Sequence, residues 1–158
     1  MTGIVVFAAI MVALGVQAAL RGGAPERIAA ASLTTAALVT WFASGGTAST
    51  FTQVQWDVLW IDAGLLCVLL GIALTADRFW PMWIAAFQLV TVAGHGARGY
   101  APDILPSVYW WLLGKTSYPM MALLCIGIER HQRRLREGLP EFAWTRHRHH
   151  IEGGEAGR

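Results

Sequence analysis

The chain has 158 residues, of which 55% are apolar and only 14% are Asp, Glu, Lys or Arg. A soluble domain usually carries about 25% charged residues. Twelve of the 22 charged residues lie after residue 128, so residues 1–128 hold only ten. This distribution excludes a disordered chain, a coiled coil and a small disulfide-stapled domain. It indicates a membrane protein that crosses the bilayer several times.

Five apolar stretches are each long enough to cross a hydrocarbon layer of about 30 Å, which takes about 20 helical residues. An open strand would leave its backbone groups without partners in lipid, so each stretch is predicted to be an α-helix. The predicted fold class is therefore all-α, a multi-pass helix bundle over residues 1–128 with a basic tail over residues 129–158. The predicted transmembrane helices are Gly3–Leu20, Ile28–Ser44, Trp56–Ala76, Phe79–Ala97 and Val108–Ile128.

The connections between these helices have the composition of turns. Residues 21–27 contain two glycines and a proline, residues 45–47 begin a neutral polar loop, and residues 99–106 contain glycine and two prolines. The Asp77–Arg78 link is so short that the third and fourth helices are predicted to form a tight antiparallel hairpin. No basic residue precedes the first apolar stretch, as one would in a secretory signal peptide, so we expect this stretch to remain as a span.

The distribution of arginines predicts the orientation. With five spans, the connections that hold Arg21, Arg27 and Arg78 lie on the same side as the tail, whereas the other side holds only Arg98. The positive-inside rule then places the N-terminus outside and the C-terminus in the cytoplasm. The predicted location is a cell membrane, which would be the inner membrane in a bacterium.

The tail carries seven arginines and five glutamates. Its first part, residues 129–139, is predicted to continue the fifth helix and to contact anionic lipid headgroups, with docking to a protein partner as the alternative. The histidine-rich segment 147–150 lacks a fixed ligand spacing on a rigid element, so no metal site is predicted there. No nucleic-acid binding is predicted either, because no fold presents the basic residues.

Charged residues inside spans are costly and are hypotheses of function by default. Asp57 and Asp62 lie in the third span, and Lys115, the only lysine in the chain, lies in the fifth. Asp62 and Lys115 each lie roughly 9–11 Å below the outer boundary at 1.5 Å per residue. They are therefore predicted to interact directly or through one water. The alternatives are a proton- or ligand-handling role and a Lys115 side chain that reaches out to the interface.

A polar stripe follows the fourth span. Gln88, Thr91, His95 and Arg98 are spaced by three, four and three residues, which places them on one helix face. Lipid would reject this face, so we expect it to point into the bundle or into a subunit contact, either hydrogen-bonded between helices or lining a hydrated path. A bis-histidine haem bound to His95 would need a second histidine at similar depth. A retinal bound to Lys115 would resemble folds of seven helices, whereas five are predicted here. No cofactor is identified.

Aromatic residues gather toward the predicted outer side. An interfacial belt explains most of them. Carboxylates beside tryptophans could alternatively hold an organic cation. The candidates for lining such a site are Trp56, Trp60, Trp111 and Tyr118.

Enzyme motifs are absent from the sequence, and no catalytic residue is predicted. The leading hypothesis is a non-catalytic accessory, assembly or ligand-sensing subunit that associates with itself or with another membrane protein. The rival hypothesis is a small oligomeric transporter or channel for protons or an organic cation. It would use Asp62, Lys115 and His95.

Overall fold

The computed structural model describes residues 2–43, 56–100, 106–138 and Trp144, with side chains over 3–43, 56–97, 115–138 and Trp144. These residues form five α-helices and one isolated backbone bridge, which confirms the all-helical prediction for this part of the chain. The helices are α1 (Thr2–Arg21), α2 (Ala24–Ala43), α3 (Trp56–Thr75), α4 (Trp80–Tyr100) and α5 (Pro106–Arg136). The predicted loop at 45–47 lies outside the described residues.

The helix boundaries differ from the predicted ones by at most four residues, and the start of α2 and the end of α5 have clear physical causes. Helix α2 begins at Ala24, four residues early, because proline and an acidic residue both suit the first turn of a helix. Only Gly22 and Gly23 separate α1 from α2, and the Arg27 Nε donates to the Gly22 carbonyl at 3.0 Å. Helix α5 ends at Arg136, three residues before the predicted end at residue 139, since Gly138 adopts a left-handed conformation with φ of 64°.

Helices α3, α4 and α5 pack in antiparallel order, with α4 in the middle. The α4–α5 register follows from two contacts: Thr91 faces Thr116, and Trp80 lies against Gly127. Trp80 precedes Thr91 on α4 by eleven residues, and Gly127 follows Thr116 on α5 by eleven residues, as expected for two antiparallel helices. The four-residue link 76–79 joins α3 to α4 as the predicted tight hairpin.

The bundle has an apolar core and also a largely apolar outer surface. Ile84 and Leu69 are fully buried and Leu124 nearly so, while Leu20, Phe42 and Leu74 are 76%, 78% and 81% exposed. Two described helices, α1 over Gly3–Arg21 and α3 over Trp56–Thr75, are long and apolar enough to cross a membrane. Helices α2 and α4 carry more polar residues, and α5 ends in an arginine-rich segment.

Candidate functional site

A buried polar cluster joins α3 to α4 through Asp62, which we call the Asp62 cluster together with Gln88 and His95. The Gln88 Nε2 donates to the Asp62 backbone carbonyl at 3.1 Å and to Oδ1 at 3.0 Å. The His95 Nε2 lies 3.1 Å from Oδ2. Both carboxylate oxygens of Asp62 are thus partnered by α4, through two side chains about two helical turns apart.

A second polar contact, between two threonines, joins α4 to α5. Thr91 Oγ1 and Thr116 Oγ1 are 3.1 Å apart, and both side chains are buried. The Thr91 hydroxyl also donates to the Phe87 carbonyl at 3.2 Å. Either hydroxyl can donate in the contact between the helices.

The polar stripe of α4 faces the interior of the bundle over its described length. Gln88, Thr91 and His95 are 3%, 8% and 5% exposed, while the adjacent Leu89 and Val90 are 56% and 43% exposed. The spacing of these three residues therefore predicted the buried face of α4 correctly. The side chain of Arg98 lies outside the described residues.

Among the described residues, Asp62 and Lys115 form no direct ion pair; their interaction through one water, the other form of that prediction, stays a prediction. Lys115 is exposed, and its Nζ lies 5.7 Å from the centroid of the Tyr118 ring. Helix α4 packs against both α3 and α5 and supplies the partners of Asp62. Equal depth along two helices did not specify which side chains face each other across the bundle.

The remaining predicted residues on α3 and α5 lie at the surface. Trp56 and Trp60 are 59% and 73% exposed, Tyr118 is 39% exposed, and Asp57 is also exposed. An outward position suits an aromatic residue at a membrane interface. The side chain of Trp111 lies outside the described residues.

A second polar cluster, which sequence reasoning missed, lies at the other end of α4. We call Glu26, Arg78, Trp80 and His131 the Glu26 cluster. The Trp80 Nε1 donates to Glu26 Oε1 at 3.2 Å, and Arg78 Nε lies 3.7 Å from the same oxygen. The Arg78 Nη2 lies 3.4 Å from His131 Nδ1. The cluster therefore joins α2, the 76–79 link, α4 and α5.

Burial distinguishes Glu26 from the other acidic residues near the helix ends. Its side chain is 0% exposed, and the side chain of Arg78 is 7% exposed. The second carboxylate oxygen, Oε2, has no hydrogen-bond partner among the described residues. A buried carboxylate persists only when it is paired and hydrogen-bonded, so Arg78 and Trp80 are required partners.

Two glycines let the helices approach closely at the Glu26 cluster. A Cβ on Gly127 would lie 2.8 Å from the Trp80 indole, and one on Gly23 would lie 2.9 Å from Glu26 Oε2 and 3.1 Å from the His131 ring. Gly64, Gly71 and Gly96 would meet nothing within 4 Å. Of these five glycines, the two at the Glu26 cluster have no room for a Cβ, and the other three do.

The sequence contained a signal for the Glu26 cluster. Glu26 lies between Arg21 and Arg27 in the first short connection, where arginine was interpreted only as a marker of orientation. An acidic residue within a basic end of a bundle needs a partner there. Arg78 and His131 were the available basic residues on the same side.

An apolar layer separates the two clusters. Ile84 lies on α4 midway between Trp80 and Gln88, which are about 12 Å apart along the helix at 1.5 Å per residue. By the helix register, Leu69 and Leu124 lie at the level of Ile84, and all three are at most 1% exposed. The polar groups of the two clusters therefore do not form one continuous path in the described interior.

Two further features of the described residues bear on ligand binding. Within the described ranges, no three His, Cys, Asp or Glu side chains come together as a metal site would require; His147, His149 and His150 lie outside those ranges. An open groove of about 450 Å³ lies between α2 and α3, lined mainly by apolar side chains with Ser32 and Thr35. The Ser32 hydroxyl already donates to the Ala29 carbonyl at 3.0 Å, so it adds little polarity to the groove.

Comparison with models of known protein families, with curated proteins and with solved structures found no match to this chain. The function must therefore be inferred from the two clusters and the surface.

Proposed function

We propose that this chain is an integral membrane protein whose five helices all cross the bilayer and that it serves as a non-catalytic subunit. Helices α1 to α4 have 20 or 21 residues, which matches a hydrocarbon layer of about 30 Å. Large apolar side chains are exposed on all five helices, among them Leu20, Phe42, Leu74, Leu89 and Ile126. Such a surface is unusual in water and is suited to lipid.

The observation that carries the non-catalytic function is the mutual pairing of the polar side chains in the Asp62 cluster and between the two threonines. One carboxylate oxygen of Asp62 accepts a hydrogen bond from Gln88, and the other pairs with His95. Thr91 forms a hydrogen bond with Thr116. Interhelical hydrogen bonds of this kind typically contribute about 0.6 kcal/mol each in membrane bundles. Groups that satisfy one another in this way hold helices in register and do not need a substrate.

The basic end of the bundle supports the proposed orientation and lipid contact. Arg21, Arg27 and Arg130 are exposed at this end, and Arg130 lies 5.3 Å from the centroid of the Phe79 ring. Arginines near the cytoplasmic surface attract anionic lipids at about 1 kcal/mol per residue. We therefore propose a cytoplasmic C-terminus, anionic lipid at the tail, and a second copy or another membrane protein as the partner.

The alternative function is transport of protons or an organic cation by an oligomer. The buried Asp62–His95 pair favours it, because titratable pairs inside membranes often carry protons. The apolar layer around Ile84 opposes it, because that layer interrupts the polar path between the two clusters.

Proton flux distinguishes the two functions. The full chain is reconstituted into vesicles that contain a pH-sensitive dye, and a pH gradient is imposed. A non-catalytic subunit gives the same flux as protein-free vesicles, and the Asp62→Asn and His95→Gln variants do not change it. A flux that the wild-type chain supports and Asp62→Asn abolishes would establish transport instead. In mild detergent, we expect the same chain to elute in a fixed ratio with a second copy or another membrane protein.

A further inference from the structure

The chain returns to the bundle after α5. The left-handed Gly138 terminates the helix, with the Gly138 N–H bonded to the Leu135 carbonyl. Trp144, six residues later, pairs with Ala76 in an antiparallel backbone bridge. Its half-buried side chain packs against the apolar core. We call this contact between Trp144 and Ala76 the Trp144 anchor.

The Trp144 anchor lies next to the Glu26 cluster. Ala76 is two residues before Arg78 and four before Trp80, and both of these residues contact Glu26 Oε1. The sequence predicted the tail as a basic segment that contacts anionic lipid or docks to a partner. The anchor instead covers the end of α3 from which the 76–79 link enters the cluster.

One buried oxygen of the Glu26 cluster favours opening of this end of the bundle. Glu26 Oε2 is buried without a hydrogen-bond partner among the described residues, and desolvation of such an oxygen is unfavourable. Water would satisfy it if the basic end of the bundle loosened. The apolar contact of Trp144 would oppose such a loosening.

From these observations, we propose that the Trp144 anchor is a closure of the basic end and that its release admits water to the Glu26 cluster. This regulatory device goes beyond the proposed subunit function, and it does not depend on which way the chain crosses the membrane. A partner that binds the tail and releases the Trp144 anchor would therefore change the packing of α2, α4 and α5 at the Glu26 cluster.

The test is the reaction of Glu26 with a water-soluble carbodiimide and glycine ethyl ester, measured by mass spectrometry on the full chain in detergent. In the wild-type chain, we expect Glu26 to react slowly and the exposed Glu137 rapidly. Trp144→Ala should raise the labelling rate of Glu26 by roughly tenfold or more, because loss of a half-buried aromatic contact shifts a local opening equilibrium. Asp62, in the other cluster, should keep its wild-type rate.

Matched variants make the result specific. Trp83 is 54% exposed on α4, so Trp83→Ala should leave Glu26 labelling unchanged. Gly138→Ala strains the left-handed backbone at the end of α5 without altering Trp144 and should also raise the labelling, whereas Gly71→Ala should not. If Trp144→Ala does not fold, Gly138→Ala takes its place. Unchanged Glu26 labelling in the folded variants, or an equal rise at Asp62, would overturn the proposal.

Discussion

The indole of Trp80 donates its N–H to the buried carboxylate of Glu26 at 3.2 Å, across 54 positions of the sequence. This hydrogen bond joins the first turn of α4 to the first turn of α2. The Trp80 ring can reach Glu26 because Gly127 lets it lie directly on α5. One contact therefore links three helices at the basic end of the bundle.

Loss of either partner in this contact should destabilise the fold. Trp80→Phe removes the N–H donor and keeps most of the ring, so we expect the free energy of unfolding to fall by about 1–3 kcal/mol. Glu26→Leu removes a buried ion-pair partner of Arg78 and the acceptor of the Trp80 N–H, and should cost about 3–5 kcal/mol. Denaturant unfolding in detergent measures both. The exposed Trp83→Phe is the control, and equal losses for Trp80→Phe and Trp83→Phe would contradict the prediction.

Gly127→Ala should also destabilise the chain. Its Cβ would lie 2.8 Å from the Trp80 indole, and overpacking of this kind costs about 1–3 kcal/mol. Gly71→Ala is the matched control, since its Cβ would meet nothing within 4 Å and alanine favours a helix by about 1 kcal/mol. We expect the melting temperature to fall for the first variant and to hold or rise for the second. A higher melting temperature for Gly127→Ala would show that the ring does not lie there.

Asp62 should be coupled energetically to His95 and not to Lys115. Double-mutant cycles with Asp62→Leu and His95→Leu should give a coupling energy of about 0.5–3 kcal/mol, because each change removes the other residue's partner. The cycle with Lys115→Met should be additive to within about 0.5 kcal/mol, since Lys115 is exposed beside Tyr118. Strong coupling to Lys115 would restore the original ion-pair hypothesis.

Helix α4 should react differently on its two faces. In a chain whose Cys67 and Cys125 are replaced, we expect Leu89→Cys to react with a lipid-phase probe and Thr91→Cys to react slowly. The reason is that Leu89 is 56% exposed, whereas Thr91 is 8% exposed. Labelling yield by mass spectrometry is the measurement. Equal yields at the two positions would contradict a buried stripe.

The proposed orientation predicts the activity of fused reporters. A reporter that folds only outside the cytoplasm should be active before Met1 and inactive after Arg158, because the arginines favour the cytoplasmic side. A second reporter, active only in the cytoplasm, should give the opposite pattern and serves as the control. Activity of the first reporter after Arg158 would reverse the orientation.

Local patterns were sufficient to predict the helices and one buried face. The length of an apolar run depends only on neighbouring residues, so five helices could be recognised without knowing how they pack. The spacing of Gln88, Thr91 and His95 likewise depends only on helix geometry, and their burial agrees with it. Helix ends were less predictable, as the early start of α2 at Ala24 shows.

The sequence by itself determined the helical class, the number of helices and the inward face of α4. Only the tertiary structure decided that Asp62 pairs with His95, that Lys115 points outward, and that Glu26 is buried against Trp80. The physical reason is that sequence spacing gives the depth and the face of a residue along its own helix. Which residue stands opposite depends on the order in which the helices pack, and this order depends on close contacts such as the one between Gly127 and Trp80.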